Sequence, residues 1–341
     1  MEHEIDLKMY NIRTDLILDS IENKSIDVNK KISEFDNIKV TKVIIDSNNS
    51  ILLSKKEGNY ITIEFDDVTD TGNKNKLIKV FVSELKSIFS ELDIKNNDSC
   101  LIIGLGNEKS TPDSLGPKVV SNVTVTRHLF LLNEDVASGV RCVSALSPGV
   151  MASTGIETFD TISSIVKEIK PSFVIVIDAL AASAIDRVNK SIQITDTGIH
   201  PGSGVGNMRK EISFDTLGIP VIAIGVPTVV LSSIIVYDTI NYLFKHISYI
   251  KDNQSMNKLI FNRYNYLSKI KDRDLSLEEK KEVSGLLGEL SDSDRQSLIY
   301  EVLNSLNYNF IVTPKEIDFL IDKLTEVIAE GINESLHESE V

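Results

Sequence analysis

Four short apolar runs, each followed by small or polar residues, place the strongest constraint on how this chain folds. They lie at residues 100–104, 140–146, 173–178 and 219–225 and are rich in valine and isoleucine. Apolar runs without alternation are typical of strands that are buried on both faces, as in parallel sheets. Helical patterns separate the runs, so the sequence predicts an α/β fold with a doubly wound, mostly parallel sheet and helices on both faces.

One of the intervening helices has a start signal. Thr154 and Glu157 precede a run of apolar residues with helical spacing, which is the pattern of a capping box. We therefore expect a helix that begins at Thr154 and ends before Pro171.

The chain before the first of these runs has a different texture. Its first 35 residues are polar and predict no core-facing element. Residues 38–65 contain three strand-like stretches, the middle one at residues 51–54, and residues 76–94 carry an apolar stripe with helical spacing. We expect a small N-terminal β region ahead of the main sheet.

The chain after residue 250 changes to charged segments with helical periodicity. They lie at residues 276–290, 293–307 and 314–336. We expect the α/β domain to end near residue 250 and a C-terminal helical region, residues 251–341, to pack on it.

Composition and charge limit the compartment and the partners. The 341 residues include 36 Lys and Arg against 50 Asp and Glu, which gives a net charge of −14. Binding to phosphate needs basic side chains, so we expect no direct contact with nucleic acid or with an anionic membrane. Cys100 and Cys142 both lie in apolar runs and form no disulfide framework. With no membrane-spanning stretch and no signal-peptide pattern, the sequence predicts a cytoplasmic protein.

Carboxylates follow two of the predicted strands. Asp178 comes directly after residues 173–177, and Asp113 lies in the polar stretch after residues 100–104. Ligands of open α/β sheets bind beyond the carboxyl ends of the strands, so both side chains are expected at one edge. Each aspartate alone is better explained as a helix cap or a turn residue. As a pair, they could share a proton, activate water and protonate a leaving amine, which is the chemistry of peptide-bond hydrolysis.

A glycine-rich stretch before the last strand supplies further candidates. It contains His200, Gly202 and Gly204, while Asn107 follows the first strand. The glycines permit close approach of another backbone, such as that of an extended substrate. His200 is either a loop histidine or a third site residue, which with both aspartates would bind one divalent metal ion. The stretch lacks the dinucleotide fingerprint, so apart from that metal alternative we expect no cofactor.

Six blocks of sequence carry a resemblance to a known family. They read GLGNEKSTPDSLGPKVV, VTRHLF, ALSPGVMASTGIET, FVIVIDALAA, IQITDTGIHPGSGVGNMRKEIS and GIPVIAIGVPTVV. These blocks cover the centre of the chain, and a further match lies near the N-terminus. The chain thereby resembles the spore germination proteases of endospore-forming bacteria.

The resemblance implies an atypical aspartic-type endopeptidase that degrades small acid-soluble spore proteins in the cytoplasm of the spore core during germination. Members of the family are made as zymogens, assemble as tetramers and mature by loss of a short N-terminal propeptide. The essential aspartates of the family match Asp113 and Asp178, which become the expected catalytic pair. The family's fold is similar to that of hydrogenase maturation endopeptidases, which bind a metal through carboxylates and a histidine. This keeps the alternative with His200 open.

The N-terminal match concerns processing. The stretch RTDLILD at residues 13–19 resembles the family's processing site, which imitates the acid-then-apolar cleavage sequence of the spore proteins. The resemblance predicts cleavage between Asp15 and Leu16, with residues 1–15 as the propeptide and residues 16–250 as the catalytic domain.

The sequence departs from the family pattern at a few positions. Ile17 and Asp19 replace the usual Ala and Glu after the predicted cleavage site, and no arginine occurs in residues 181–184, soon after Asp178. Leu231 stands where an acidic residue is expected. None of these changes alters the expected pair of aspartates.

Two other functions are compatible with the residues. One is a metal-dependent peptidase that uses Asp113, Asp178 and His200, and the other is a non-catalytic homologue whose acidic helices only assemble. The main expectation is a self-processing endopeptidase. We expect spore proteins as its substrates, and we expect it to assemble with further copies of itself into a homotetramer.

Overall fold

The computed structural model describes residues 14–24, 26–132, 136–202, 209–252 and 273–337. Contacts between residues divide the chain into two compact units. The larger unit comprises Arg13–Ala182, Asp186–Val229 and Thr313–Val341, and the described residues of the smaller unit lie within Ser183–Ile185 and Val230–Val312. In the part of the chain that is described, no helix is long and apolar enough to cross a membrane.

A sheet runs through the larger unit and contains all four apolar runs of the sequence as strands. Its members are β1 (Lys30–Phe35), β2 (Ile38–Ile45), β3 (Gly58–Phe65), β4 (Cys100–Gly104), β5 (Val143–Leu146), β6 (Phe173–Ala182), β7 (Ser191–Thr195) and β8 (Val221–Leu231). Their spatial order is β1-β2-β3-β7-β8-β6-β4-β5. In the smaller unit, β9 (Ile311–Val312) pairs with Val230 and Leu231.

Strands β4, β5 and β6 form the parallel part of the sheet. β4 lies between β5 and β6 and is parallel to both, so that Gly104 stands opposite Ile177. From β1 through β2, β3 and β7 to β8, neighbouring strands are antiparallel. The predicted α/β fold is confirmed, and its parallel centre brings the carboxyl ends of β4 and β6 to one edge.

Helices account for most of the described residues outside the strands. In the larger unit they are α1 (Ile17–Lys24), α2 (Ser47–Leu53), α3 (Thr71–Glu91), α4 (Leu115–Val120), α5 (Arg127–Leu131), α6 (Met151–Thr154), α7 (Thr158–Ile169), α8 (Phe214–Leu217) and α13 (Ile317–Leu336). In the smaller unit they are α9 (Ser232–Asp252), α10 (Leu277–Ser284), α11 (Leu286–Glu289) and α12 (Asp292–Ser305).

The parallel strands are buried on both faces, as their uninterrupted apolar sequences predict. Ile102 and Ile175 belong to a cluster that includes residues of α3, α4 and α13. Their neighbours Leu101 and Val174 belong to a second cluster, which includes Ile162 of α7. Because successive strand residues point to opposite faces, each strand contributes to both clusters.

The first helix has a buried face that the sequence analysis did not predict. Leu16, Ile17, Leu18 and Ile21 are all buried. Together they span six residues, which is less than two helical turns and too short to reveal a periodicity. The expectation of no core-facing element in this region is therefore wrong.

A short helix replaces the predicted strand at residues 51–54. The Asp46 carboxylate caps α2, since its Oδ1 accepts a hydrogen bond from the Asn49 backbone N–H at 2.8 Å. Within this helix only Leu53 is buried. The adjacent apolar residues resembled a strand, although only one of them faces the core.

Thr154 ends a helix and does not begin one. It is the last residue of α6, and Gly155 follows with a φ of 71°, the left-handed conformation that terminates helices. The next helix, α7, begins at Thr158 and ends before Pro171, as expected. The predicted capping box is wrong because Gly155, inside the pattern, interrupts the helix.

The contact of α13 with α3 provides a test of this packing. A Cβ atom at Gly331 would come within 2.3 Å of Cδ1 of the fully buried Phe81 ring. Alanine is a better helix former than glycine by ~1 kcal/mol. We nevertheless expect Gly331→Ala to lower the free energy of unfolding by ~1–3 kcal/mol, because overpacking displaces neighbouring core side chains. Urea denaturation would measure the change.

The exposed neighbour Glu330 supplies the control for that measurement. Glu330→Ala should shift the free energy of unfolding by no more than ~0.5 kcal/mol. A Gly331→Ala variant as stable as the unmodified chain would contradict the packing described.

Candidate active site

The chain turns sharply where β4 ends. The Leu105 N–H donates to the carbonyl of Ile177 at 2.8 Å, which extends the pairing of β4 with β6. Gly106 then has a φ of 112°. A Cβ atom at Gly106 would lie 2.1 Å from the carbonyl oxygen of Asp113 and 2.9 Å from its Oδ1. Glycine alone tolerates this conformation and this approach, so the turn brings Asp113 against the end of β4.

Hydrogen bonds of the turn hold Asp113 in place. It closes the 3-10 turn Thr111–Asp113, and its carbonyl oxygen accepts the Asn107 N–H at 2.9 Å. Thr228 of β8 donates its hydroxyl to the carbonyl of Pro112 at 2.7 Å. Asn107, a predicted site residue, thus contributes its backbone to positioning Asp113, whose side chain is half-buried.

Asp178 occupies a more enclosed position. It lies inside β6, which is longer than the sequence predicted, and only 6% of its surface is exposed. Its Oδ1 accepts a hydrogen bond from the Ala179 N–H at 2.9 Å. The carboxyl group is therefore held against the backbone of β6.

The surroundings of the two carboxyl groups raise the pKa of each. Burial raises the pKa of Asp113 to about 6, against the opposing effect of a backbone hydrogen bond from Asn107. Burial, together with the negative charges of Asp113 and Asp15, raises the pKa of Asp178 well above its ordinary value. At neutral pH Asp113 is ionised, while the raised pKa of Asp178 favours its protonated form. The two groups are close enough for the charge of Asp113 to raise the pKa of Asp178.

The N-terminal segment runs beside the end of β6. The Asp15 N–H donates to the Ala181 carbonyl at 3.3 Å, and the Ala181 N–H donates to Asp15 Oδ2 at 3.0 Å. Leu16 has no exposed surface. The peptide bond expected to be cleaved is thus fixed beside the strand that carries Asp178.

Two residues that the sequence analysis did not single out contact the carbonyl of Asp15. Lys55 Nζ donates to this oxygen at 3.1 Å and to the Thr14 carbonyl at 2.8 Å. Gln193 Nε2 donates to the same oxygen at 3.3 Å, and its Oε1 accepts the Ile17 N–H at 2.7 Å. Gln193 stands in one of the blocks that carry the family resemblance, whereas nothing around Lys55 marks it as a site residue.

His200 is placed in another arrangement. Its Nε2 is 3.7 Å from Oε2 of Glu211, which also pairs with Lys56. Gly202 has a left-handed φ of 73°, and Gly204 lies outside the described residues. Within the described ranges, no three His, Cys, Asp or Glu side chains are grouped to hold a metal ion. The described donors therefore do not fit the predicted metal site of Asp113, Asp178 and His200.

Comparison with known proteins decides the family. The family model described as germination protease, peptidase family A25, matches residues 9–340. The chain belongs to the germination protease family. The germination protease of Bacillus velezensis is 47% identical over 353 residues, which cover 98% of this chain and 96% of that protein. The germination protease of Priestia megaterium is 44% identical over 357 residues, which cover 99% and 96%.

Membership of the germination protease family establishes the general activity. The protein is a protease, and therefore a hydrolase, that acts in spore germination. Among solved structures, a NiFe hydrogenase maturation protease from Thermococcus kodakarensis KOD1 matches 42% of this chain and 80% of its own, with 18% identity and a TM-score of 0.28.

The buried carboxyl of Asp178 predicts a pH dependence of stability. Its pKa in the folded chain is raised above the unfolded value, so its contribution to the free energy of unfolding falls as the pH rises from about 4 towards the folded-state pKa. Asp178→Asn removes this titration. We expect the variant to gain stability relative to the unmodified protease, by an amount that grows with pH above about 4. Thermal unfolding at a series of pH values would measure it.

Asp160 of α7 supplies a matched control, since its side chain is 55% exposed and pairs with Lys210 at the surface. Asp160→Asn should leave the pH profile of stability unchanged. A loss of stability in Asp178→Asn at neutral pH would contradict the raised pKa.

Proposed function

We propose that this germination protease is a self-processing endopeptidase, made as a zymogen, that cleaves small acid-soluble spore proteins in the cytoplasm of the spore core. The observation that supports it most is the placement of Asp15 and Leu16, hydrogen-bonded beside the strand that carries Asp178. An extended segment that pairs with the edge of a sheet element is a general mode of peptide recognition. The zymogen would thus hold its own first substrate.

We assign the roles of the aspartates from their surroundings, with half-buried Asp113 as the base and the more deeply buried Asp178 as the acid. Ionised Asp113 takes a proton from water while the water oxygen bonds to the carbonyl carbon of Asp15. Protonated Asp178 then gives its proton to the nitrogen of Leu16 as the carbon–nitrogen bond breaks. The products are a carboxyl group on Asp15 and an amine on Leu16, and the proton on Asp113 passes to Asp178 to restore the pair.

The contacts of Asp15 indicate which sequences a substrate would present. The Ala181 N–H binds the carboxylate of Asp15 at 3.0 Å, which favours an acidic residue before the cleaved bond. The buried position of Leu16 favours an apolar residue after it. Spore proteins with an acidic and then an apolar residue would bind in the same way once residues 1–15 have left.

We further propose that the protein acts as a homotetramer on protein substrates and makes no direct contact with nucleic acid or membrane. Its net charge of −14 supports the latter part, because a surplus of acidic groups opposes binding to phosphates.

The roles of the aspartates can be tested in the purified zymogen. Asp113→Asn and Asp178→Asn each keep the size of the side chain but remove the base or the acid. We expect each to slow processing by ~10²–10⁴-fold, as measured by mass spectrometry and N-terminal sequencing for a new terminus at Leu16. Asp160→Asn should process at the normal rate.

Processing at the normal rate in both variants would rule out the aspartate pair. The same assay with a chelator distinguishes the metal-dependent alternative. We expect no effect of the chelator, whereas a loss of processing that added metal reverses would favour that alternative.

The pH profile of processing provides an independent test. The reaction needs Asp113 ionised, and the pKa of this carboxyl is about 6. We expect the rate to fall about tenfold per pH unit below that value, and to fall again where the pH exceeds the raised pKa of Asp178. Because the carboxyls interact, the two midpoints belong to the pair. A single-turnover rate that increases steadily from pH 7 to pH 4 would contradict these roles.

A further inference from the structure

The carbonyl oxygen of Asp15 accepts hydrogen bonds from two side chains of distant parts of the chain. Lys55 Nζ is 3.1 Å from it and Gln193 Nε2 is 3.3 Å from it. One donor is an ammonium group and the other a primary amide, and both reach the oxygen atom of the bond expected to be cleaved. Such convergence on one peptide oxygen needs an explanation beyond strand pairing, which uses backbone groups.

Backbone conformation and hydrogen bonds hold Lys55 in place. Ser54 caps the end of α2 with a left-handed φ of 55°. The backbone N–H of the next residue, Lys55, donates to the Ser50 carbonyl at 3.2 Å, and the Lys55 carbonyl accepts a hydrogen bond from the Ser50 hydroxyl at 2.7 Å. Lys55 therefore leaves the helix in one direction, towards the N-terminal segment.

Gln193 is fixed by the sheet and by its own amide group. It lies in β7 between β3 and β8, opposite Thr62 and Gly225, and is 6% exposed. Its Oε1 accepts the Ile17 N–H at 2.7 Å, so the amide has one orientation, with Nε2 towards Asp15. The side chain contacts the backbone on both sides of the Asp15–Leu16 bond.

Hydrolysis places a negative charge on this oxygen. When the water oxygen bonds to the carbonyl carbon, one electron pair of the carbonyl double bond moves to the oxygen, and it returns when the carbon–nitrogen bond breaks. Donors that already point at the oxygen stabilise that charge more than the neutral carbonyl, and so they lower the barrier.

We propose that Lys55 and Gln193 are catalytic residues of self-processing, which together stabilise the oxyanion that forms on the Asp15 carbonyl oxygen. The inference rests on the proposed function, because it requires cleavage of the Asp15–Leu16 bond by the aspartate pair. Lys55 and Gln193 would stabilise the negative charge on the oxygen, while Asp178 supplies the acid and Asp113 the base.

A purely structural role would have different consequences. Lys55 also binds the Thr14 carbonyl at 2.8 Å, so it could act only by holding the segment in place. Removal of an anchor would release residues 14–17 from the sheet, whereas removal of an oxyanion donor would leave the segment bound but unreactive. The two roles are therefore separable by measuring attachment and reaction rate in the same variants.

The experiment uses two substitutions in the full-length zymogen. Lys55→Met keeps the apolar stem and removes the ammonium group. Gln193→Glu keeps an acceptor for the Ile17 N–H and replaces the Nε2 donor by an oxygen. We expect each to reduce the single-turnover rate of processing by ~10²–10³-fold, the usual effect of losing one oxyanion donor. Lys76→Met on α3, where Lys76 is 53% exposed and pairs with Asp36, should process normally.

Attachment is measured in the non-cleaving Asp113→Asn background. We expect the Ile17 amide to exchange its hydrogen as slowly with Lys55→Met added as without it. Faster exchange that accompanies the loss of processing would overturn the catalytic role in favour of anchoring. Normal processing in both Lys55→Met and Gln193→Glu would overturn it directly.

Failure of the proposed function would look different. In that case the unmodified zymogen would not be cleaved at Asp15–Leu16, or Asp113→Asn would be cleaved at the normal rate. If the unmodified zymogen is cleaved, Asp113→Asn is not, and the Lys55 and Gln193 variants process normally, the aspartate pair stands and the oxyanion role alone is lost.

Discussion

Removal of the Asp178 carboxyl from water is the constraint on which the site depends. The group lies inside β6, and the strand is covered by one apolar cluster on each face. Exclusion of water is what raises the pKa of Asp178, because a charge in such surroundings loses its hydration. The two helical layers therefore do more than stabilise the sheet. They raise the pKa of one carboxyl well above its ordinary value, while half-buried Asp113, on its turn at the edge, has a pKa of about 6.

How much of the fold and of the site can be predicted from the sequence depends on how far apart in the chain the contacting residues lie. The parallel strands and the positions of Asp113 and Asp178 are encoded locally, in apolar runs that are followed by polar residues. The contacts of Lys55 and Gln193 with Asp15 join residues 40 and 178 positions apart. A single sequence contains no pattern for such contacts, since they arise only when the antiparallel strands and the N-terminal segment have folded together. The burial of Leu16 and its neighbours was also not predicted, because these residues span too short a stretch to show a helical period.

Two departures from the family pattern, at Asp19 and at the arginine expected after Asp178, are connected by an ion pair in the structure. Asp19, which stands where the family usually has Glu, is fully enclosed and pairs with Arg187 at 2.5 Å. Arg187 also pairs with Glu22 of α1 and with Glu64 of β3. It lies nine positions after Asp178, beyond the stretch in which an arginine was expected, and it ties α1 to the sheet. Buried ion pairs of this kind are costly to break because the remaining charge loses its partner.

The two sides of the Asp15–Leu16 bond are held by forces of different kinds. Asp15 and Thr14 are held by hydrogen bonds to Ala181, Lys55 and Gln193, each with a net contribution of ~0.5–1.5 kcal/mol.

Leu16, Ile17 and Leu18 are held by burial, at ~1.5–3 kcal/mol for each side chain, and by the pairing of Asp19 with Arg187. A cut at this bond would therefore divide the chain unevenly. On the upstream side, the cut would leave Thr14 and Asp15 with their hydrogen bonds. On the downstream side, the new terminus at Leu16 would stay embedded in the core, so the buried segment would keep its place without the covalent link.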